Sequence, residues 1–154
     1  MTTVTPPRVN PLALQDQVCF ALAVAARNVV SLYRPLLEPM GLTHPQYLVM
    51  LALWEQESLT VGELSGMLHL TPATLSPLVR RLEAQGYLRR ERQQTDERVV
   101  HLSLTRSGKD LRRKALAVPE AIVERLGIDV ADLQRLRVEL DSVIERSQPR
   151  PDPS

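Results

Sequence analysis

Apolar residues recur every three or four positions along most of the chain, which is the spacing of one face of an α-helix. The first such stretch predicts a helix over residues 14–37, which Pro35 loosens and Gly41 ends. Thr43 is placed as an N-cap, and Pro45 behind it suits the first turn of a second helix. The pattern therefore opens the chain with two helices.

The middle of the chain predicts a short strand over residues 59–61 and a short helix over residues 63–68. Thr71 caps the helix that follows and Gly86 ends it, while Pro77 within it removes a backbone hydrogen bond and predicts a bend. Two short helices joined by a tight turn are typical of a helix-turn-helix.

Alternation of apolar with charged or polar residues replaces the helical spacing over 87–92 and 98–104, and it predicts a β-hairpin. A helix over 105–126, bent near Pro119, and a last helix capped by Asp129 complete the chain. The predicted fold is mainly helical with a small β-hairpin wing, and it is a winged helix-turn-helix.

The composition agrees with one soluble globular domain, because 44% of the 154 residues are hydrophobic and 24% are charged. The net charge is only +1, but residues 71–106 carry seven arginines against four acidic residues, which favours contact with nucleic acid. The sequence shows neither a signal peptide nor an uninterrupted apolar run of membrane length. We therefore expect a cytoplasmic protein with no membrane role.

The predicted DNA-reading side chains lie on the second helix of the helix-turn-helix and at the hairpin tip, because a helix fits the major groove and arginine suits a narrow minor groove. They are Thr71, Thr74, Ser76, Arg80, Arg81, Asp96 and Arg98. The alternative is that Thr71 only caps its helix and the two helical arginines only form a solvated face. At the tip, Arg98 is expected both to shape the turn through an ion pair with Asp96 and to enter the minor groove.

The same segments carry a family resemblance. Residues 96–98 followed by 102–105 resemble the wing signature of the MarR family of winged-helix regulators. Four more blocks resemble its OhrR branch, whose members are repressors inactivated by organic hydroperoxides. These blocks are residues 17–22, 32–37, 45–48 and 74–77. The order of predicted elements over residues 12–146 is similar to that family as well.

The resemblance implies a homodimer that binds double-stranded DNA at a pseudo-palindromic operator. Its dimerisation helices, about 12–57 and 105–146, interlock between the two copies, and its winged helix-turn-helix spans about 59–104. Each recognition helix then lies in a major groove and each wing in a minor groove. The proline-rich ends, 1–11 and 147–154, are expected to be disordered tails.

The single cysteine, Cys19, stands near the start of the first helix, where the helix dipole stabilises a thiolate. Tyr33 lies 14 residues further on, on nearly the same face but about 21 Å away along the helix. If two such helices cross antiparallel at residue 26, Tyr33 of one copy meets Cys19 of the other, and the resemblance implies the same hydrogen bond. The alternative is an inert cysteine that only packs.

His44 stands where the OhrR branch often has a second tyrosine, and it either donates a hydrogen bond to the thiolate or lies at the helix start as a surface residue. As a donor it makes sensing depend on pH. With one cysteine in the chain, oxidised Cys19 must be trapped by a low-molecular-weight thiol or by a backbone nitrogen. The predicted effectors are therefore an organic hydroperoxide and a small thiol.

Three other functions stay open. A MarR-type regulator released by a non-covalent small aromatic ligand would use Cys19 only for packing. A thiol peroxidase would turn Cys19 over, but the sequence shows no catalytic partners for the thiol, so we expect no enzyme. A protein-binding module would use the winged fold without DNA. We expect no cofactor and no metal.

Overall fold

The computed structural model describes residues 10–149, and most of the two predicted tails, 1–11 and 147–154, lies outside them. The chain divides into two compact units between Lys114 and Ala115. The first unit contains, in chain order, helix α1 (Val18–Leu37), helix α2 (His44–Glu55), strand β1 (Ser58–Thr60), helix α3 (Val61–Leu68), helix α4 (Pro72–Ala84), strands β2 (Leu88–Arg92) and β3 (Val100–Leu104), and helix α5 (Arg106–Ala115). The second contains helix α6 (Val118–Leu126) and helix α7 (Val130–Ser147).

Threonine side chains fix the starts of three helices in the first unit. Thr43 accepts a hydrogen bond from the Gln46 backbone amide, and the Gln46 side chain accepts one from the Thr43 amide, which together form a capping box. Thr60 and Thr71 cap α3 and α4 through their hydroxyls. The predicted caps at Thr43 and Thr71 are confirmed.

Two helix boundaries differ from the prediction. Helix α1 begins at Val18, because residues 14–16 form a separate 3-10 turn. The single bent helix predicted over 105–126 is wrong, since α5 and α6 are separate helices. Pro119 stands in the first turn of α6, where its missing N–H has no helical partner to lose.

The wing is a three-stranded antiparallel sheet in the order β1-β3-β2, and it is therefore larger than the predicted hairpin. Strand β3 pairs with β2 as predicted, and it also pairs with β1, where Leu59 lies opposite Leu102. Strand β1 is shifted by one position from the predicted residues 59–61, because Val61 begins α3. One strand precedes the helix-turn-helix and two follow it, so the sheet ties both of its ends together.

The core of the first unit is mainly aliphatic, and aromatic residues make up only 3% of the chain. Side chains from α2, α3, α4 and β3 are fully buried there, among them Leu53, Leu64, Leu75, Leu82 and Leu102. Burying such side chains is the main contribution to folding stability.

Helix α1 presents an apolar surface. The stretch Val18–Met40 is long and apolar enough to cross a membrane by length and composition alone, with a mean hydropathy of 1.2 and 6% of that window buried. Arg27 and Arg34 interrupt the stretch, and charged side chains are costly inside a lipid bilayer. An apolar helical surface of this kind also fits pairing with another helix.

Candidate functional site

Helix α4 separates its side chains into two faces. Leu75, Val79 and Leu82 are buried, each with 2% exposure or less. The predicted DNA-reading residues of this segment are all exposed: Thr71, Thr74, Ser76, Arg80 and Arg81. Pro77 is exposed as well, and α4 continues past it to Ala84. The structure therefore leaves the polar face of this helix accessible.

The hydroxyls of Thr71 and Thr74 form a pair at the start of α4. Their oxygens lie 2.9 Å apart, and the Thr71 oxygen also accepts a hydrogen bond from the Thr74 backbone amide at 3.2 Å. The start of a helix favours phosphate, because its first N–H groups have no helical acceptor. Thr71 therefore caps the helix and still keeps an exposed hydroxyl.

Arg90 links the wing to α4. Its Nε lies 3.1 Å from Glu83 Oε1, and its backbone amide donates to Glu83 Oε2 at 3.1 Å. Both side chains are 37% exposed, so the ion pair contributes little to stability. It fixes the direction in which β2 leaves the helix.

The hairpin tip is held by backbone contacts, and the predicted ion pair between Asp96 and Arg98 is absent from the ion pairs found within residues 10–149. Asp96 Oδ1 accepts instead from the Arg98 backbone amide at 3.0 Å. Arg92 Nη1 donates to the Glu97 carbonyl at 3.1 Å. The hydrogen bond from the Arg98 amide to the Asp96 side chain closes the turn, and the Arg98 side chain stays exposed.

Cys19 is the second residue of α1, and it is exposed. Its neighbours Val18 and Phe20 are also exposed, by 71% and 42%. The thiol and its two apolar neighbours therefore lie open in the single chain. A reagent or a second protein surface can reach the sulfur directly.

Tyr33 of α1 and His44 of α2 form an aromatic cluster with Tyr47. The Tyr33 ring lies 4.8 Å from the His44 ring and 5.7 Å from the Tyr47 ring, between centroids. Burial raises the pKa of Tyr33 and lowers the pKa of His44. Burial, and then the charge of Tyr33, raises the pKa of Tyr47. At neutral pH the cluster therefore offers two protonated phenols and a neutral imidazole.

Tyr47 was not among the predicted site residues. It is 3% exposed and resembles an ordinary core residue. The sequence could have indicated Tyr47 as a member of the cluster, because it follows His44 by three residues on one helix and residues at that spacing share a face.

The structure brings Tyr33 and His44 together but does not bring Cys19 to them within one chain. Helix α1 is continuous from Val18 to Leu37, so the 14 residues between the thiol and Tyr33 span about 21 Å. Contact between the sulfur and the Tyr33 hydroxyl therefore requires a second copy of α1.

A pocket of about 400 Å³ opens beside the aromatic cluster. It is lined by Val30, Arg34, Glu38, Leu42, Thr43, His44 and Pro45. Its volume lies in the range of small-molecule sites, and its wall combines apolar groups with a guanidinium, a carboxylate and an imidazole.

Comparison with known sequences relates the chain to a regulator family and to individual proteins. Residues 31–114 match the family described as transcriptional regulator SarA/Rot. The chain is also 39% identical over 134 residues to the organic hydroperoxide resistance transcriptional regulator of Bacillus subtilis (strain 168), covering 87% of this chain and 91% of that protein.

Solved structures of AbfR and of CouR are among those that share the fold. AbfR of Staphylococcus epidermidis, crystallised bound to DNA in reduced and overoxidised forms, is 33% identical with a TM-score of 0.72, over 86% of this chain and 93% of AbfR. CouR from Rhodococcus jostii RHA1, crystallised with p-coumaroyl-CoA, is 26% identical with a TM-score of 0.77, over 90% of this chain and 99% of CouR.

Proposed function

This chain belongs to the MarR/SarA family of winged-helix transcription regulators, and on that premise we propose that it is a redox-sensing repressor with one reactive cysteine. It is a DNA-binding regulator and not an enzyme. The observation that carries the redox proposal is the contact between Tyr33 of α1 and His44 of α2, whose ring centroids lie 4.8 Å apart, because α1 also exposes Cys19.

The proposed homodimer pairs two α1 helices antiparallel. Helix α7 also exposes apolar side chains, with Leu136 at 50% and Val138 at 59%, and these suit burial against a second copy of the chain. In this arrangement Cys19 of one copy lies against Tyr33 and His44 of the other. Hydrogen bonds from these groups stabilise the thiolate, which is the reactive form of cysteine.

The proposed chemistry uses an organic hydroperoxide and a low-molecular-weight thiol. The Cys19 thiolate attacks the outer peroxide oxygen, the O–O bond breaks, an alcohol leaves, and the sulfur becomes a sulfenic acid. A small thiol then attacks this sulfur, water leaves, and a mixed disulfide remains. A backbone nitrogen is the other available trap, since the chain has a single cysteine.

In the reduced dimer each α4 lies in a major groove of a pseudo-palindromic operator. The hydroxyls near its start approach base edges and its arginines meet phosphates. The wing places Arg98 in the minor groove, with its backbone held by Asp96.

Oxidation changes this arrangement. A mixed disulfide of Cys19 with a small thiol adds bulk where the two α1 helices pack, and it changes the spacing of the two recognition helices. DNA and small thiols are both cytoplasmic, so we place the protein there.

A gel-shift titration against the promoter of the protein's own gene tests this function. It compares reduced protein, protein treated with an organic hydroperoxide and a small thiol, and Cys19→Ser protein treated in the same way. We expect only the oxidised protein with Cys19 to release DNA. Release of the Cys19→Ser protein, or retention by all three, would show that the mechanism is wrong.

A second function is a regulator released by a non-covalent aromatic ligand, with Cys19 structural. The pocket of about 400 Å³ beside His44 supports it, together with the likeness to CouR. Release of DNA by p-coumaroyl-CoA or a simple aromatic acid, from the Cys19→Ser protein as well, would favour this function.

A further inference from the structure

Three hydrogen bonds join the end of α4 to the junction between α1 and α2. Gln85 Nε2 donates to the Gly41 carbonyl at 2.6 Å, and Gln46 Nε2 donates to Gln85 Oε1 at 3.2 Å. The Tyr87 hydroxyl donates to the Met40 carbonyl at 3.1 Å. We call Gln46, Gln85 and the Gly41 carbonyl the amide bridge. The recognition helix is thus held at its C-terminal end by a distant part of the chain.

Gln46 is the buried centre of the amide bridge. It is 3% exposed and is the only buried polar residue among residues 10–149. Its Oε1 accepts from the Thr43 backbone amide at 2.9 Å, while its Nε2 reaches Gln85. A buried amide that loses a partner is costly, because no water replaces the lost hydrogen bond. Gln46 therefore joins the Thr43 turn to Gln85, whose own side chain is exposed.

The same turn carries His44, which follows Thr43 and precedes Gln46 by two residues. Its ring contacts Tyr33 at 4.8 Å. The fit at the other end of the amide bridge is close, since a Cβ on Gly41 would lie 3.3 Å from Gln85 Nε2. His44 therefore lies on the backbone segment between Thr43 and Gln46, which holds one end of the amide bridge.

We propose that Gln46 and Gln85 are positioning residues that couple the Tyr33–His44 cluster to the recognition helix. A shift of the cluster moves the capping box of α2, the amide bridge carries that shift to Gln85, and α4 changes its tilt toward DNA. This inference rests on the proposed function only in treating the cluster as the sensing end.

A double-mutant cycle on operator affinity tests the coupling in reduced, full-length protein, with the variants His44→Ala, Gln85→Met and both together. Methionine keeps the length of the Gln85 side chain but removes both hydrogen bonds. We expect the fold-change in affinity of the double variant to differ by about two- to tenfold from the product of the two single-variant fold-changes. An additive result would overturn the proposal, because residues that act independently give additive effects.

The matched control is Gln56→Met, an exposed residue at the C-terminal end of α2. Its cycle with His44→Ala is expected to be additive. Thermal unfolding of each variant checks that the fold is kept. If Gln85→Met does not fold, Tyr87→Phe removes the parallel hydrogen bond to Met40 and takes its place in the cycle.

Treatment of the wild type with hydroperoxide and a small thiol separates this proposal from the proposed function. Retention of DNA by the treated wild type, with a non-additive cycle, would remove the redox function and support the coupling. Release by the wild type with an additive cycle would keep the redox function and overturn the coupling. Release with a non-additive cycle supports both. We then expect the ratio of the reduced protein's operator affinity to that of the oxidised protein to be at least about tenfold smaller in Gln85→Met than in the wild type.

Discussion

The rings of Tyr33 and His44 meet edge-on, with centroids 4.8 Å apart and planes inclined by 62°. An aromatic pair in this geometry is favourable beyond the area that it buries. The His44 imidazole is half-buried at the first position of α2. It gains a positive charge in acid, whereas a tyrosine at this position would not. The junction between α1 and α2 therefore contains a group that gains charge in acid, and burial lowers its pKa from the usual 6.5.

We predict that acid destabilises the protein through His44. Its folded-state pKa is lowered by burial from the usual 6.5, so the unfolded chain takes up the proton first. Stability is therefore full above pH 6.5 and is lost as the pH falls from 6.5 toward the folded-state pKa. Thermal midpoints measured across this range should fall more for the wild type than for His44→Tyr. Equal slopes would contradict the assignment.

Gly108 in α5 is predicted to tolerate no side chain. A Cβ there would clash with the Tyr87 carbonyl oxygen and lie 3.0 Å from the carbonyl carbon. The Trp54 indole N–H donates to the Gly108 carbonyl at 2.9 Å, so α5 cannot simply move away. We expect Gly108→Ala to lower the unfolding free energy by about 2–4 kcal/mol in chemical denaturation.

The control for that prediction is Gly66→Ala. Gly66 lies within α3 and has open space where a Cβ would be placed. Alanine there should raise the unfolding free energy by about 0.5–1 kcal/mol, because glycine is the weaker helix former. Similar losses at both glycines would show that the contact with Tyr87 is not responsible.

Arg98 is predicted to contribute charge to DNA binding. Its guanidinium is exposed and unpaired with Asp96, so it is available to the minor groove. Arg98→Ala should weaken operator binding and reduce the slope of log affinity against log salt by about 1 per copy. Arg137→Ala, which removes a pair with Asp141 in α7, should leave the slope unchanged. A salt slope insensitive to Arg98 would place the wing away from DNA.

We predict that hydroperoxide without a small thiol leaves the operator bound. AbfR, a relative of this chain, was crystallised on DNA in an overoxidised form, so added oxygen alone is compatible with DNA binding in that protein. With a small thiol present, mass spectrometry should show a mixed disulfide on Cys19 together with DNA release. Release by hydroperoxide alone, with a protein lighter by two hydrogens, would instead identify trapping by a backbone nitrogen.

Local sequence signals located most of the fold. Thr43 and Thr71 were predictable as caps, because their hydroxyls satisfy backbone amides next to them in sequence. The pairing of β1 with β3 was not predictable from such signals, since it depends on chain segments far apart in sequence. Pro119 was interpreted as a bend because a proline inside an apolar periodicity and a proline that starts a new helix give the same local pattern.

The candidate site was only partly predictable for the same reason. Cys19, Tyr33 and His44 stood out by residue type and by resemblance. Gln46 and Gln85 did not, because their hydrogen bond joins residues 39 positions apart and forms only in the folded chain. A glutamine in the sequence carries no sign of whether tertiary structure will bury it.

The division of α4 into a buried aliphatic face and an exposed polar face has an evolutionary consequence. Substitutions at Thr74 or Ser76 change the surface that we propose to face base pairs, and they remove no core contact, since the core contacts of α4 come from Leu75 and Val79 on the other face. A duplicated gene can therefore acquire new target promoters through a few changes on one side of one helix. Its product keeps the aliphatic core to which Leu75 and Val79 belong.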